Sequence, residues 1–413
     1  MKNILLAMNM LNLLRFQKKN TAAIHDDGDL EKSKPINSLA EKLSALSGEK
    51  DFYFKATVGF DQQSILVGGG AKQNKRDHLE DRLDVARVTG VDQLNDNELY
   101  DVARQVTAQL QQQCVDATKN EGSTYTNITV DLANQRIVTT QLGDSEAWFA
   151  YEDRDGKTHV VQLHSCLHQL ENNNELTRLI RAGHPPVEQI IKNVNGEEKK
   201  YYRMGGALLL TRALGDNAFE EHGLLHRPSI NIYSYAHLVG AKNFRVIVRS
   251  DGFAAAKNKK ADEVLIETLN RPENNIQSDL LAKQLLEKQI NGDNTSLLIA
   301  ALPNSKIVTT PGIATDTALS LSIFDGHGSG DVADKAAKKH FSIQQKCIND
   351  LLKLKKPWYK TQEIMHTALD AANREKPKLK RAPGFAAIWV DDGEPNPTTS
   401  STTDNPNKRP KHQ

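Results

Sequence analysis

Four carboxylates stand at the ends of apolar segments, where an uncompensated charge is costly. They are Asp251 after FRVIVRS, Asp325 after ALSLSIF, Asp293 before TSLLIAAL, and Glu80 in a strand-like segment that starts at Arg76. Oxygen donors from four separate strand ends are suited to hard divalent ions such as Mg²⁺ or Mn²⁺. These loops contain neither cysteine nor clustered histidine, which argues against zinc.

Glycines flank three of these acids. A glycine lets the backbone approach an ion closely, so that a main-chain carbonyl can become a ligand. Each Asp-Gly pair alone is more typical of an ordinary turn. The combination indicates a metal site, and the glycines concerned are Gly326, Gly328, Gly252 and Gly292.

Together these motifs resemble those of the metal-dependent protein phosphatases of type 2C. The similar stretches cover most of the chain and include RDHLED, QLGDSEAWF, ELTRLIRAG, LLLTRALGDNAF, RVIVRSDGF, NGDNTSLLIA and FDGHGSGD. The resemblance implies a hydrolase that removes phosphate from phosphoserine or phosphothreonine in a protein substrate. It also implies that helices flank a central β-sandwich on both sides.

The resemblance assigns metal ligands to these residues. Asp325 would bridge two Mn²⁺ or Mg²⁺ ions, and Glu80 and the Gly326 carbonyl would bind one of them. Asp251 and Asp293 would hold the other ion. A water shared by the two ions would then attack phosphorus, with no covalent phosphoenzyme.

The resemblance also assigns roles to three other side chains. Arg76 would clamp the phosphate oxygens, and His327 would protonate the departing serine or threonine oxygen. Asp144, in the sequence GDS, would help to hold a third, weaker metal. The family has a second acid for that metal four residues beyond the SDG aspartate, but this chain has Ala255 there. We therefore expect the third site to be weakened or absent.

The order of the motifs departs from that of the family. The DGHG motif directly follows the Glu-Asp motif in the family, whereas here it comes last, in a segment of residues 318–375. We interpret this order as a circular permutation or a segment transfer. Such a change is tolerated if the moved strand enters the sheet at its usual place. The connection 303–317 could supply the necessary reach.

The apolar patterns predict the elements that must position these groups. Strand-like runs with interspersed helices, and no regular βαβ alternation, indicate an α+β fold with two packed antiparallel β-sheets in permuted strand order. Helical periodicity predicts helices over about 95–118, 331–353 and 361–374. We expect an N-terminal arm over 1–50, a single catalytic domain over 51–392, and a disordered tail over 393–413.

Charge and composition exclude several classes of protein. The 53 basic and 52 acidic residues nearly cancel, which argues against a nucleic-acid partner. The apolar run Ile4 to Leu14 is too short to span a bilayer, so no integral membrane segment is expected. Three widely spaced cysteines favour a reducing, cytoplasmic compartment. Richness in Asn and Gln and the permuted order also suggest a bacterial effector, secreted into a host cell.

Two other functions stay open at this point. One is a pseudophosphatase, a binding module that regulates a phosphoprotein partner, which the missing third-site aspartate supports. The complete acidic set and the presence of both Arg76 and His327 argue against it. The other is a metal-dependent hydrolase of small phosphoesters. The sequence determines neither the protein substrate nor the oligomeric state.

Overall fold

The computed structural model describes a defined part of the chain, to which all structural statements below refer. The described residues are 21–24, 38–46, 51–60, 63–116, 121–164, 166–192, 198–253, 261–270, 277–289, 292–304 and 316–372. The predictions for the apolar run at the N-terminus, for Ala255 and for the tail 393–413 lie outside these residues.

Seventeen strands and six α-helices are assigned in this part of the chain. The strands are β1 Thr21–Ile24, β2 Asp51–Phe60, β3 Gln63–Lys72, β4 Arg82–Thr89, β5 Gly122–Ser123, β6 Tyr125–Asp131, β7 Arg136–Leu142, β8 Glu146–Glu152, β9 Thr158–Gln162, β10 Val187–Lys192, β11 Glu198–Arg203, β12 Leu214–Gly215, β13 Ser229–Ser234, β14 Lys242–Arg249, β15 Thr295–Ala301, β16 Asp316–Phe324 and β17 Gly326–His327. The helices are α1 Ala40–Leu46, α2 Asp96–Gln113, α3 Asn173–Arg181, α4 Ala261–Leu269, α5 Ser278–Glu287 and α6 Asp331–Ala372.

Two large sheets form the body of the protein. Seven strands make one sheet in the order β1-β2-β3-β15-β14-β8-β9, and five make the other in the order β13-β7-β6-β16-β4. Neighbouring strands in both sheets are antiparallel, apart from the parallel pair β1–β2. A small sheet, β12-β5-β17, and the hairpin β10–β11 complete the described strands.

Strand β14 illustrates how the sequence builds the layers. Val246 and Val248 belong to the core between the two large sheets, together with Leu321 of β16. Ile247, between them in sequence, packs on the opposite face with Leu285 of α5. Because successive side chains of a strand point to opposite faces, an uninterrupted apolar strand must be covered on both sides.

Helices cover both outer faces of this sandwich. α4 and α5 pack on the seven-stranded sheet, and α2 and α6 pack on the five-stranded sheet. α2 begins at a capping box, in which the Asn95 side chain accepts from the Glu98 amide and the Glu98 side chain accepts from the Asn95 amide. The predicted α+β fold, with a central β-sandwich between helices, is confirmed. No helix among the described residues is long and apolar enough to cross a bilayer.

Strand β16, which precedes the DGHG motif, lies inside the five-stranded sheet. It pairs with β6 on one side, with Leu321 opposite Ile128, and with β4 on the other, with Phe324 opposite Arg82. A strand from the end of the described chain therefore lies between two strands from its first third. Circular permutation as the origin of this order stays a prediction.

Three details differ from the sequence analysis. The predicted helices 331–353 and 361–374 belong to one continuous helix, α6, as far as the described residues extend. Glu80 and Asp81 lie in a loop before β4 rather than inside a strand. Part of the predicted arm packs on the sandwich, since Leu43 of α1 is fully buried in the central core.

Candidate active site

Antiparallel pairing in the five-stranded sheet brings together two acids that are far apart in sequence. Phe324 of β16 pairs with Arg82 of β4, so the next residues, Asp325 and Asp81, are neighbours at the end of both strands. The amide of Thr124 donates to the Asp325 carbonyl over 2.9 Å and holds the chain there as it leaves β16.

The seven-stranded sheet contributes the other two predicted ligands at the same end of the sandwich. Arg249 of β14 pairs with Leu297 of β15, so that Asp251 just after β14 and Asp293 just before β15 lie at one edge. Gly252 makes this approach possible, because a Cβ at that position would lie 1.7 Å from the Asn294 carbonyl oxygen. The glycine is therefore required by close backbone packing.

Carboxyl groups from both sheets contact each other where these ends meet. The Asp325 carboxyl lies against those of Asp81 and Asp251, close enough to share a proton with either. Asp81 Oδ2 also accepts a 2.5 Å hydrogen bond from the Ser296 hydroxyl. Asp81 Oδ1 is buried and receives no hydrogen bond from any N–H or hydroxyl group of the described residues. This contact brings Asp325 and Asp251 together, and it adds Asp81, to which the sequence analysis assigned no role as a ligand.

Burial and mutual repulsion make the ionised forms of these carboxyls unfavourable. Burial raises the pKa of Asp81 to about 6 and that of Asp144 to about 7, and Asp251 adds its charge to both. Burial and the neighbouring acids raise the pKa of Asp325 well above its ordinary value. Burial also raises the pKa values of Asp251 and Glu80. Divalent cations would remove this penalty by compensating the charges.

The donor set fits such cations. It consists of carboxylate oxygens, which Mg²⁺ and Mn²⁺ prefer, and it includes the buried, unpartnered Oδ1 of Asp81. No group of three or more His, Cys, Asp or Glu side chains among the described residues already has the arrangement of a metal cluster.

Arg76 occupies the mouth of the site and contacts two of the predicted ligands. Its Nη1 lies 3.7 Å from Oε2 of Glu80, and its Nη2 contacts both carboxylate oxygens of Asp293. The hydrogen bond to Asp293 raises the pKa of Arg76. Asn294 fixes the loop that carries Arg76, because its side-chain oxygen accepts a 2.7 Å hydrogen bond from the Glu80 amide. Glu80 and Asp293 therefore share a cationic neighbour at the rim.

His327 forms a pair with a buried aspartate that the sequence analysis did not single out. Its Nε2 lies 2.9 Å and 2.8 Å from the two carboxylate oxygens of Asp216. Burial opposes protonation of His327, but the hydrogen bond and charge of Asp216 outweigh it and raise the pKa of the imidazole. The signal in the sequence was the LGD of LLLTRALGD, which contains Asp216.

Asp144 lies in the turn between β7 and β8, and its carboxyl group accepts a hydrogen bond from a neutral amide. Gln169 Nε2 donates to Asp144 Oδ2 over 2.6 Å. His168 Nδ1 accepts from the amide of Gly143 and so holds the turn, and burial lowers the pKa of this imidazole to about 3. The turn is therefore organised by hydrogen bonds from the segment before α3.

Glu146 stands where the family motif GDSR has an arginine, and it pairs with Arg249. Arg249 Nη2 lies 2.5 Å from Glu146 Oε1, and Nη1 donates to the carbonyl of Phe253 over 3.0 Å. Arg249 thereby ties the loop that contains Asp251 to strand β8. Sequence reasoning missed this contact because nothing local marks Arg249 and Glu146 as neighbours.

Buried carboxylates gathered under a cationic rim are typical of enzymes that hydrolyse phosphoesters with divalent metals. The family model for protein phosphatase 2C matches residues 54–295, which is more than half of the chain. The chain belongs to this family and is a metal-dependent protein phosphatase. No curated protein sequence matches it.

Several solved structures are similar to this chain. A serine-threonine phosphatase 2C from Toxoplasma gondii is 14% identical, with 61% of this chain and 99% of that chain covered and a TM-score of 0.43. The phosphatase MsPP from Mycobacterium smegmatis, in complex with cacodylate, is 16% identical over 57% of this chain and 98% of its own, with a TM-score of 0.33. The PstP catalytic domain, in complex with 2 manganese ions, is 18% identical, with coverages of 57% and 98% and a TM-score of 0.31.

Proposed function

We propose that this phosphatase hydrolyses phosphoserine and phosphothreonine in proteins with a water activated at a two-metal site. The observation that carries the proposal is the contact of Asp325 with Asp81 and Asp251, which joins the two sheets at one buried cluster of carboxyls. Such a cluster is costly unless cations compensate it, so it serves metal binding better than stability.

Two of the predicted ligands, Asp325 and Asp251, belong to this cluster. Asp325, Asp251, Asp293, Glu80 and the Gly326 carbonyl would hold the two ions, with Asp81 as an added acceptor. When bound, the ions would supply the acidity that turns a water into a nucleophile near neutral pH. The side-chain amide of Gln169 donates a hydrogen bond to the Asp144 carboxyl and so occupies one of its oxygens. This contact supports the expectation that a third metal site is weakened or absent.

The residues of the rim would act on the substrate. Arg76 is a half-exposed guanidinium at the mouth, with its side chain 45% exposed, and would bind phosphate oxygens. The oxygen of the water, having given up a proton to solvent, would form a new bond to phosphorus, and the bond from phosphorus to the serine or threonine oxygen would break. The electron pair stays on that departing oxygen, which takes a proton from His327 and leaves as a hydroxyl group. Inorganic phosphate is the second product.

The test is phosphate release from a phosphothreonine peptide by the full chain with and without Mn²⁺. We expect turnover that requires Mn²⁺ and that Asp325→Asn lowers by about 1000-fold or more, because the central ligand charge is lost. Asp350→Asn, which changes an exposed acid of α6, is the matched control and should leave turnover unchanged. Tight binding of the peptide without any turnover would instead identify a pseudophosphatase, and turnover of small phosphoesters alone would identify a metabolite hydrolase.

A further inference from the structure

The small sheet β12-β5-β17 joins three distant parts of the chain beside the carboxyl cluster. Its central strand β5 pairs with β12 through Ser123 and Leu214, and with β17 through Gly122 and His327. Asp216 directly follows β12, and its amide donates to the carbonyl of Glu121 over 2.8 Å. The sheet therefore places Asp216 and His327 on either side of β5.

The packing at β5 leaves room for this pair only because residue 122 is glycine. A Cβ on Gly122 would lie 2.0 Å from Oδ2 of Asp216 and 2.7 Å from Cε1 of His327. Asp216 itself is fully buried. The carboxylate and the imidazole thus meet over the bare backbone of β5, and no other residue type would fit there without moving one of them.

Gln111 of α2 holds the backbone on both sides of Asp216. Its Oε1 accepts from the amide of Gly215 over 2.9 Å, and its Nε2 donates to Oδ1 of Asn217 over 2.8 Å. Asn217 in turn donates to the Cys114 carbonyl at the end of α2. Asp216 has a φ of 50°, a left-handed conformation that is uncommon for residues other than glycine. Such a conformation persists only where the surroundings hold it, and Gln111 and Asn217 do so here.

We propose that Asp216 is a positioning residue for His327, and that Gln111 holds Asp216 in place for this task. By accepting a hydrogen bond from Nε2–H, Asp216 fixes the ring orientation and the tautomer of His327. Nδ1 is then the nitrogen that gives its proton to the departing oxygen. A carboxylate that orients a histidine for proton transfer in this way is a recurring arrangement in enzymes. The inference rests on the role of His327 in the proposed function.

The test compares two substrates that differ in their need for a proton. A phosphothreonine peptide releases an alkoxide that must be protonated, whereas p-nitrophenyl phosphate releases a phenolate that is stable without a proton. For Asp216→Asn we expect kcat on the peptide to fall about 10-fold or more, and kcat on p-nitrophenyl phosphate to change less than about 3-fold. His327→Ala should show the same selective loss of peptide turnover. Because the two residues act together, combining Asp216→Asn with His327→Ala should lower kcat on the peptide little further than His327→Ala alone.

Another buried Asp-His pair of this chain supplies the matched control. His340 Nδ1 of α6 lies 3.1 Å from Oδ2 of Asp84 on β4, and both residues are buried. Asp84→Asn should lower the melting temperature and leave the ratio of the two activities unchanged. Gln111→Ala removes neither member of the Asp216–His327 pair. It should shift the ratio of peptide to p-nitrophenyl phosphate turnover in the same direction as Asp216→Asn. If Asp216→Asn does not fold, Gln111→Ala provides the test in its place.

Equal loss of both activities in Asp216→Asn and in Gln111→Ala would overturn the inference and leave Asp216 a structural residue. A selective loss in His327→Ala that neither of these variants reproduces would also overturn it, while the proposed function stands. A wild-type chain that hydrolyses neither substrate with Mn²⁺ would overturn the proposed function itself, and this inference with it.

Discussion

Arg76 and Asp293 form an ion pair in which Nη2 lies 2.7 Å from Oδ1 and 2.8 Å from Oδ2. The residue predicted to clamp phosphate therefore contacts a residue predicted to hold a metal. Both side chains are partly exposed, at 45% and 40%, so the pair contributes little to stability. Its importance lies in the shared position: a cation that binds Asp293 competes with the guanidinium for the same carboxylate.

The first prediction is that Arg76→Ala has opposite effects on substrate and metal. The KM for a phosphothreonine peptide should rise about 10- to 100-fold, because a charge-assisted hydrogen bond to phosphate is lost. The Mn²⁺ concentration for half-maximal activity should fall, because a repelling positive charge is removed from Asp293 and Glu80. Mn²⁺ and substrate titrations of the initial rate measure both. Arg104→Ala on α2 is the control, and an unchanged KM in Arg76→Ala would contradict the role of Arg76.

The second prediction concerns the effect of metal on stability. Mn²⁺ should raise the melting temperature of the wild type, because it relieves repulsion among Asp81, Asp251 and Asp325 and binds only the folded chain. Asp325→Asn should lose most of this increase. Without Mn²⁺ the variant should be at least as stable as the wild type, since an amide replaces a buried acid of raised pKa. Thermal melts with Mn²⁺ and with EDTA test this, and an equal Mn²⁺ effect in both proteins would refute it.

The third prediction follows from two glycines that flank the predicted ligands. Gly252→Ala should destabilise the fold by about 1–3 kcal/mol and remove Mn²⁺-dependent activity, because its Cβ would collide with the Asn294 carbonyl. Gly292→Ala is the matched control, since no atom lies within 4 Å of a Cβ placed there. Urea unfolding and activity assays compare the two. Comparable behaviour of the two variants would contradict the close approach of the strand ends.

The fourth prediction concerns stability at low pH. Glu175 at the start of α3 is buried, yet its ion pairs with Arg212 and Arg178 outweigh that burial and lower the pKa of its carboxyl from 4.5 to about 2. The unfolded state therefore binds the proton more readily, and stability from this group is present above pH 4.5 and is lost as the pH falls toward 2.

Glu175→Gln tests this linkage. The wild type should exceed the variant in free energy of unfolding by on the order of 3 kcal/mol at pH 7, and by less at pH 3. Urea unfolding of both proteins at several pH values measures the difference. Asp350→Asn, which removes an exposed ion pair with Lys353, should change the free energy by about 0.5 kcal/mol or less at any pH. A difference that does not depend on pH would show that the ionisation of Glu175 is not involved.

Some features of the site were predictable because they are local in sequence. Asp325 and Asp251 each follow an apolar run, and strands end at such polar residues, so their place at strand ends could be read directly. The β-sandwich followed from strands that are apolar without alternation, such as the one containing Ile247. The long helix α6 was predicted in two pieces, with a break between residues 353 and 361 that the structure does not have.

Other features depend on contacts between distant segments. Asp216 and His327 are 111 positions apart in the sequence. No local pattern in either segment predicts that the two residues pair. Gln169 donates to Asp144, and Arg249 pairs with Glu146, only because segments distant in sequence come together at one end of the sandwich. Pairing of this kind is set by register and packing, which no local pattern records.

The sequence by itself determined which residues carry negative charge at strand ends and to which family the motifs are similar, because motif spacing and apolar periodicity are local properties. Tertiary structure alone decided that β16 enters between β6 and β4 and so brings Asp325 beside Asp81. The physical reason is that antiparallel register converts a large separation in sequence into direct contact. That contact gathers the carboxylates whose repulsion a metal would relieve.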